Sequence, residues 1–385
     1  MPQKRYLMTP GPTPVPPAVL AAMSLPIVHH RTPGFRAMFE QLLASLQQVY
    51  RTASDVLLFT ASGTGGMDSA VSNTCSPGDR VLVVSAGNFG ERWLSIAAAY
   101  GCDVQELRYP WGEVPSPEDV AAKLADIGGA QAVFLTHSET STGVVIDLQE
   151  TAARIRPSGA LVVVDAISSL GAVPCDTDAW GLDVVVSGSQ KALMTPPGLA
   201  LASVSPVALE ASTHATSPRF YFDWAATLES QHEDPPVNPF TPAIPAVLGL
   251  DVAVSLLLEE GLEAVFDRHV RLGRAARAGV KALGLELFSP DDDTSAVVTA
   301  VRMPAEIDAG DVIGDLFTRF GITMEGGRKD LTGKIVRIGH IGYVDVFDVT
   351  TQLAALELVL ADAGADTERG VAVTAALEAF EGVRV

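Results

Sequence analysis

The feature that most restricts the fold of this chain is a series of short apolar runs between residues 55 and 205. The runs lack polar alternation, which is typical of strands that are covered on both faces of a sheet. Strands are predicted at residues 56–59, 80–85, 132–136, 160–164, 183–186 and 199–204, and helices at 91–100, 117–125 and 148–155. This alternation predicts an α/β fold with a large, mostly parallel, doubly wound sheet.

The second half of the chain has a different pattern. Residues 211–245 are rich in proline, aromatic residues and turn formers, and are predicted to form a long functional loop. A helical stretch over roughly 246–283 then leads to elements predicted at 296–301 (strand), 309–320 (helix), 335–344 (strand) and 349–361 (helix). We therefore predict an N-terminal arm at 1–20, a large α/β domain at 21–255, a smaller α+β domain at 256–362 and a C-terminal tail at 363–385, in which residues 370–380 can form a short helix.

The charge of the chain restricts its partners. A net charge of −20 and an isoelectric point near 4.6 argue against nucleic acid and anionic membranes. No stretch approaches the roughly 18 apolar residues of a membrane span, and residues 1–17 lack the apolar core of a signal peptide. We therefore expect a cytoplasmic protein. The three cysteines are widely spaced and match no metal or disulfide pattern.

Lys191 is the only charged residue between Asp183 and Glu210, and it follows a strand-like run and a loop of small residues. Burial of a lysine in apolar surroundings lowers its pKa until the neutral amine prevails. Such an amine is a nucleophile that forms Schiff bases with carbonyls. A surface lysine that extends its ammonium group into water fits this segment equally well. The surrounding sequence must therefore decide between the two interpretations.

Asp165 ends the apolar run 160–164 and is the only charge between Arg156 and Asp176. Ligands of open α/β sheets bind beyond the carboxyl ends of the strands, where Asp165 is predicted to lie. Because Asp165 and Lys191 are separated by about one β–α–β step, both are predicted to face one cleft. Pyridoxal phosphate requires a lysine for its aldehyde and an aspartate for its pyridine nitrogen. The alternative is an aspartate that caps a helix near residues 166–169.

A glycine-rich turn, ASGTGG at residues 61–66, follows the first predicted strand. The start of a helix after such a turn offers backbone N–H groups and a positive dipole end to a phosphate. The hydroxyls of Ser62 and Thr64 can add donors. The turn matches neither GxGxxG nor a Walker loop, so it is a weak signal when taken alone.

Together these features resemble the class V, fold-type I pyridoxal-phosphate-dependent aminotransferases of the alanine/serine–glyoxylate branch. The resemblance covers roughly residues 5–362. The matching stretches are TPGPTP at 9–14, HHRTP at 29–33, SGTG at 62–65, NFGERW at 88–93, HSETSTG at 137–143, VD at 164–165, SGSQK at 187–191 and RIG at 337–339. Their combination and order are far more specific than any single motif.

The resemblance implies a role for each matching residue. Lys191 is expected to bind the cofactor covalently and to move a proton between substrate and cofactor, whereas Asp165 pairs with the pyridine nitrogen. Phe89 is expected to stack on the cofactor ring. Arg337, the only formal charge in its apolar strand, is expected to bind the substrate α-carboxylate in a two-pronged pair. The other implied cofactor contacts are Ser62, Gly63, Thr64 and Gln190 near the phosphate, Thr140 at the 3′-oxygen, and Ile167.

The chain departs from the family at two places in the phosphate site. Thr64 stands where the best-known member has a histidine. Members of the family complete this site with a hydroxyl from the neighbouring subunit, in a segment that matches FTPAIP at 240–245. A tyrosine and a threonine of the family are replaced by Phe240 and Ala243, so that Thr241 is the only hydroxyl in this window. The resemblance thus implies a homodimer with a shared active site and Thr241 as the contact across the interface.

The reaction expected from the resemblance is a ping-pong transamination, in which alanine or serine gives its amino group to glyoxylate or a similar 2-oxo acid. Ureidoglycine and aminoethylphosphonate are alternative donors within the family, and Arg337 favours a donor with an α-carboxylate. A cysteine desulfurase or related lyase needs a loop cysteine in the C-terminal half, whereas the last cysteine here is Cys175. A non-catalytic accessory subunit, a label given to relatives within a soluble hydrogenase, would not need Lys191, Asp165 and Arg337 together.

Overall fold

The computed structural model describes residues 4–293, 295–365 and 367–382. The predicted arm (1–20) and tail (363–385) each include residues that lie outside these ranges, namely 1–3, 366 and 383–385. Within the described part of the chain, no helix combines the length and apolar character needed to cross a membrane. Location in the cytoplasm stays a prediction. Cys75, Cys102 and Cys175 are all free thiols.

Strands and helices alternate along the first half of the chain, as the apolar pattern predicts. In chain order the described strands are β1 (Tyr6–Leu7), β2 (Asp55–Phe59), β3 (Arg80–Ser85), β4 (Asp103–Arg108), β5 (Ala132–Thr136), β6 (Ser138–Glu139), β7 (Val144–Val145), β8 (Leu161–Asp165), β9 (Val184–Gly188), β10 (Ala200–Val204), β11 (Val298–Arg302), β12 (Ile322–Thr323), β13 (Glu325–Gly326) and β14 (Ile335–Gly339). The described α-helices are α1 (Pro17–Met23), α2 (Pro33–Tyr50), α3 (Gly63–Thr74), α4 (Asn88–Ala99), α5 (Pro117–Asp126), α6 (Leu148–Ile155), α7 (Thr177–Trp180), α8 (Pro206–His214), α9 (Trp224–Gln231), α10 (Ile244–Glu260), α11 (Leu262–Ala282), α12 (Ala309–Phe320), α13 (Val346–Asp362) and α14 (Val371–Glu381).

A seven-stranded sheet in the order β2-β10-β9-β8-β5-β3-β4 forms the centre of the larger part of the molecule. The strands from β9 to β4 run parallel, which confirms the predicted α/β class. The exception is β10, which is antiparallel to both β9 and β2. Only residues 189–199 connect β9 to β10, and this link is shorter than the crossover of about a dozen or more residues that a parallel pair needs.

The apolar runs are continuous because both faces of the sheet are covered. Val162 and Val164 of β8 belong to a core formed with α2 and α10, whereas Val163 belongs to the opposite core, formed with α3 and α4. Successive side chains of a strand point to opposite faces, so every position of β8 must be apolar. The layered arrangement leaves the carboxyl ends of the parallel strands as the place where polar side chains collect.

A smaller antiparallel sheet in the order β11-β14-β13 belongs to the C-terminal part of the chain. Helices α11, α12, α13 and α14 share a separate apolar core with this sheet. The N-terminal strand β1 pairs with β12, so the beginning of the chain joins this C-terminal part. The predicted short helix at residues 370–380 is confirmed as α14. The predicted domain boundaries stay predictions.

Three predictions of secondary structure were wrong in detail, and one strand of the large sheet was not predicted. The helical stretch 246–283 is two helices that are divided at Gly261, whose φ of +86° favours glycine. The predicted loop 211–245 contains α9, where the Asp223 side chain accepts a hydrogen bond from the Ala226 N–H. Strand β4 lies at the sheet edge and was not predicted, because its half-exposed positions carry charged residues. The strand predicted at 335–344 ends at Gly339, and α13 begins at Val346.

Phe134 provides a test of the central layer. It is fully buried in β5, with its ring centroid 4.8 Å from that of Trp93. Phe134→Ala should lower the free energy of unfolding by about 3–5 kcal/mol, because it leaves a cavity. Phe347→Ala, at a side chain that is 69% exposed, should change it by less than about 0.5 kcal/mol. Denaturant unfolding of the cofactor-free protein measures both, and equal losses would contradict this packing.

Candidate active site

Asp165 and Lys191 lie at the carboxyl ends of neighbouring strands. Asp165 is the last residue of β8 and pairs in register with Val186 of β9, and Lys191 follows shortly after β9 ends at Gly188. Both side chains are buried, with 4% of Asp165 and 8% of Lys191 exposed. The structure therefore excludes the alternative of a surface lysine. It also brings the two charges to the same edge of the sheet, as predicted.

The N-terminal TPGPTP segment packs directly against Lys191. The Lys191 Nζ donates a hydrogen bond to the Pro10 carbonyl oxygen at 2.9 Å, and the Thr13 hydroxyl donates to the Lys191 carbonyl oxygen at 2.9 Å. Gly11 has a φ of +142°, and a Cβ at this position would lie 2.4 Å from Nζ. Only glycine therefore allows the segment to approach the lysine so closely. The sequence motif contains these residues, but it does not by itself indicate this role.

Burial moves the pKa values of both central groups toward neutrality. The pKa of Lys191 is lowered to about 8, chiefly by desolvation and then by the positive charge of Arg337, against the effect of Asp165. Desolvation raises the pKa of Asp165 to about 7, although the Ile167 N–H, which donates to its Oδ1 at 2.9 Å, opposes this shift. Each group can therefore hold or release a proton near neutral pH.

The turn before α3 is tightly packed against neighbouring residues and leaves little free space. The helix begins at Gly63, and Ser62 before it makes no side-chain cap hydrogen bond. A Cβ on Gly63 would lie 2.5 Å from the Ile167 side chain, and a Cβ on Gly188 would lie 3.4 Å from the Gly63 backbone. The Gln190 Oε1 is buried and has no hydrogen-bond partner among the described residues. The predicted residues Ser62, Gly63, Ile167 and Gln190 thus surround one place.

Phe89 and Thr64 are linked by a residue that the sequence interpretation missed. The Arg92 guanidinium lies 4.8 Å from the centre of the Phe89 ring and donates a hydrogen bond to the Thr64 hydroxyl at 2.9 Å. Its positive charge also lowers the pKa of Asp165. Arg92 lies within the NFGERW motif, and a charge so close to an expected ring contact was the signal that could have identified it.

Glu139 is a second site residue that was not among the predicted contacts. Its carboxylate is 2% exposed and accepts hydrogen bonds from the backbone N–H groups of Phe89 (2.8 Å) and Gly90 (3.2 Å) at the start of α4. Burial raises the pKa of Glu139, and its charge raises that of Asp165. Glu139 thus holds the Phe89 backbone in place beside Asp165.

Arg337 joins the smaller sheet to the loop that follows β6. It lies in β14, with 3% exposed, and donates through Nη1 to the Thr140 carbonyl oxygen (2.8 Å) and through Nε to the Gly326 carbonyl oxygen (2.9 Å). Its Nη2 donates to the Glu325 carboxylate at 3.0 Å. Burial lowers the pKa of Arg337. The sequence interpretation identified Arg337 and Thr140 but not Glu325.

Thr241 lies outside this group within a single chain. It is exposed and lines a small cavity together with Thr60, Tyr221 and Phe240, whose ring stacks on Tyr221 at 5.2 Å between centroids. Among the described residues, Thr241 makes no hydrogen bond to the other predicted site residues. The structure of one chain therefore does not bring Thr241 together with Lys191.

The fold is that of the pyridoxal-phosphate-dependent transferases of fold type I, and sequence comparison identifies the family. The chain matches the family model described as aminotransferase class V over residues 5–343. It belongs to the class V aminotransferases, which are pyridoxal-phosphate-dependent enzymes, and this confirms the family predicted from its motifs.

Relatives and solved structures match almost the whole chain. The chain is 42% identical over 384 residues to the soluble hydrogenase 42 kDa subunit of Anabaena cylindrica, covering 99% of this chain and 100% of the relative. It is 36% identical to the L-aspartate–glyoxylate aminotransferase of Paracoccus denitrificans, covering 99% and 97%. The structure of ureidoglycine–glyoxylate aminotransferase from Bacillus subtilis superposes with a TM-score of 0.94 at 33% identity, covering 99% of both chains.

Gly11→Ala tests the contact between the N-terminal segment and Lys191. The added methyl group would overlap the Lys191 side chain, so we expect kcat/KM for transamination to fall about 100-fold, the order expected for a misplacement of about 1 Å. Gly34→Ala is the matched control, because no atom lies within 4 Å of a Cβ at Gly34. Equal activity of the two variants would contradict the role of this contact.

Lys191→Met tests the burial of the amine through stability. Because the folded-state pKa of Lys191 is about 8, below the ordinary 10.5, burial costs stability below pH 8, and this cost fades between pH 8 and 10.5. The cofactor-free variant should therefore be more stable than the wild type at pH 7, by on the order of 3 kcal/mol. The difference should shrink as the pH rises through that window. Unfolding curves at several pH values with a constant difference would exclude a depressed pKa.

Proposed function

We propose that this aminotransferase moves the amino group of a small neutral amino acid, alanine or serine, to glyoxylate or a similar small 2-oxo acid. The observation that carries the proposal is the convergence of three buried groups, Lys191, Asp165 and Arg337. Both Asp165 and Arg337 act on the pKa of Lys191. A nucleophilic amine, a carboxyl group and a guanidinium group that can bind a carboxylate are thus available to one small ligand.

Pyridoxal phosphate fits the residues that surround Lys191. The start of α3, where Ser62 makes no side-chain cap hydrogen bond, leaves backbone N–H groups free and supports a phosphate position near Ser62, Gly63 and Thr64; the Gln190 side chain can add an N–H donor through its amide nitrogen. In this proposal Asp165 would pair with the pyridine nitrogen, Thr140 would contact the 3′-oxygen, and Phe89 and Ile167 would contact the ring. When bound, the cofactor supplies an aldehyde that condenses with amines and a ring that accepts the electrons of a carbanion.

The protein's own groups hold the substrate and move the proton. Lys191 Nζ, with a pKa of about 8, is the base that takes the proton from the substrate Cα when neutral. Arg337 has five N–H groups, of which three donate in the hydrogen bonds described above. We infer that the other two bind the substrate α-carboxylate. Burial of all three central residues excludes water, which strengthens these charge interactions.

Different observations support the identity of the acceptor and the identity of the donor. Relatives named for glyoxylate, including the enzymes of Paracoccus denitrificans and Bacillus subtilis, support glyoxylate as the acceptor. Their donors differ, so the choice of a small neutral donor depends on the site of this chain. The relatives named as hydrogenase subunits suggest an accessory role, which would require none of the chemistry of Lys191.

We also propose that the chain acts as a homodimer in which Thr241 reaches the phosphate site of the other subunit. The exposed position of Thr241 and its stacked neighbours Tyr221 and Phe240 support such a contact. Sedimentation of the cofactor-loaded protein should show a dimer under assay conditions. A fully active monomer would contradict the shared site.

A panel of donors and acceptors tests the proposed reaction. Alanine, serine, ureidoglycine, aspartate and glutamate are each assayed with glyoxylate, pyruvate and 2-oxoglutarate. A small neutral donor with glyoxylate should give the highest kcat/KM, and Lys191→Ala should lower it by about 1000-fold or more. Lys334→Ala removes an exposed lysine and should have little effect. Absence of transamination with every pair would exclude the proposal.

A further inference from the structure

Glu325 forms a cross-strand pair with the arginine that we propose as the substrate anchor. Strand β13 pairs antiparallel with β14 so that Glu325 lies directly opposite Arg337. Residues in such a pair project from the same face of a sheet. The Glu325 side chain is 39% exposed, whereas that of Arg337 is 3% exposed. The carboxylate therefore lies at the border between the buried guanidinium and solvent.

The charge of Glu325 acts on the reaction centre itself. It raises the pKa of Lys191, against the effect of Arg337, so its field reaches the amine. The Nη1 and Nε groups of Arg337 donate to main-chain oxygens, and Glu325 is the only side-chain anion bonded to the guanidinium among the described contacts. A ligand carboxylate at Arg337 must therefore lie beside a fixed negative charge.

We propose that Glu325 is a specificity-determining residue that favours donors with a neutral side chain over dicarboxylic donors. The inference rests on the proposed function, in which Arg337 binds the α-carboxylate. The side chain of a small donor extends only a few bonds from that carboxylate, so a second carboxylate remains near Glu325 and is repelled. A methyl or hydroxymethyl group carries no charge and is not repelled.

The positive charge of Arg328 does not cancel the effect of Glu325 on donor preference. This charge lowers the pKa of Lys191 and Arg337. A cation at this position also attracts a second carboxylate and so opposes Glu325, but Arg328 is exposed and its charge is screened by solvent. Glu325, in contrast, is bonded to the anchor itself. The difference between donors therefore depends on Glu325.

Glu325→Gln tests the proposal, because glutamine keeps the size of the side chain and an acceptor oxygen for Arg337 but removes the charge. The cofactor-loaded enzyme is assayed with serine and with aspartate, each with glyoxylate, and kcat and KM are separated. The kcat/KM ratio of aspartate to serine should rise at least about tenfold, mainly through a lower KM for aspartate. Asp330→Asn, at an exposed acid in the connection between β13 and β14, removes the same charge away from Arg337 and should leave the ratio unchanged.

The outcomes separate this inference from the proposed function. An unchanged ratio in Glu325→Gln, an equal change for both donors, or a wild-type preference for aspartate would overturn the specificity role while transamination itself persists. A rise in the ratio that also occurs in Asp330→Asn would likewise overturn it, because the effect would then follow from net charge. Absence of transamination with every donor would overturn the proposed function, and this inference with it.

Discussion

The arrangement of this site depends on the burial of one amine. Lys191 has its Nζ bonded to the Pro10 carbonyl oxygen and its own carbonyl oxygen bonded to Thr13, so the N-terminal segment covers it. Burial lowers its pKa to about 8, which makes the neutral nucleophile available near neutral pH. The same burial moves the pKa of Asp165 in the opposite direction, to about 7. One physical cause, desolvation, thus brings the pKa values of both groups close to neutrality at the carboxyl edge of the sheet.

Residues from distant parts of the sequence complete the site. Arg337 is carried by the small sheet, yet it donates to the Thr140 carbonyl oxygen in the loop after β6. Glu139, in the same loop, holds the Phe89 backbone. Arg337, Phe89 and Glu139 are therefore connected through a few hydrogen bonds. Movement of the smaller sheet would move Arg337 relative to Lys191, and in the proposed function it would therefore affect substrate binding.

The sequence predicted the elements and residues whose signals are local. Lys191, Asp165 and Arg337 are lone charges in apolar stretches, and the buried strands have continuous apolar runs because both faces are covered. Strand β4 was missed because an edge strand is half exposed and tolerates charge. Glu325 was missed because its role depends on strand register. Arg92 and Glu139 lie within matched motifs, but their contacts with Thr64 and Phe89 exist only after distant strands pack together.

The central claim is that Lys191 is the amine to which the cofactor becomes attached. Borohydride reduction of the pyridoxal-phosphate-loaded protein fixes the cofactor on whichever lysine holds it, and peptide mass mapping then locates the added mass. We predict that the mass lies on the peptide that contains Lys191 and that pretreatment with the preferred amino donor reduces its amount. Attachment to another lysine, such as Lys334, or absence of attachment to Lys191 would contradict the account.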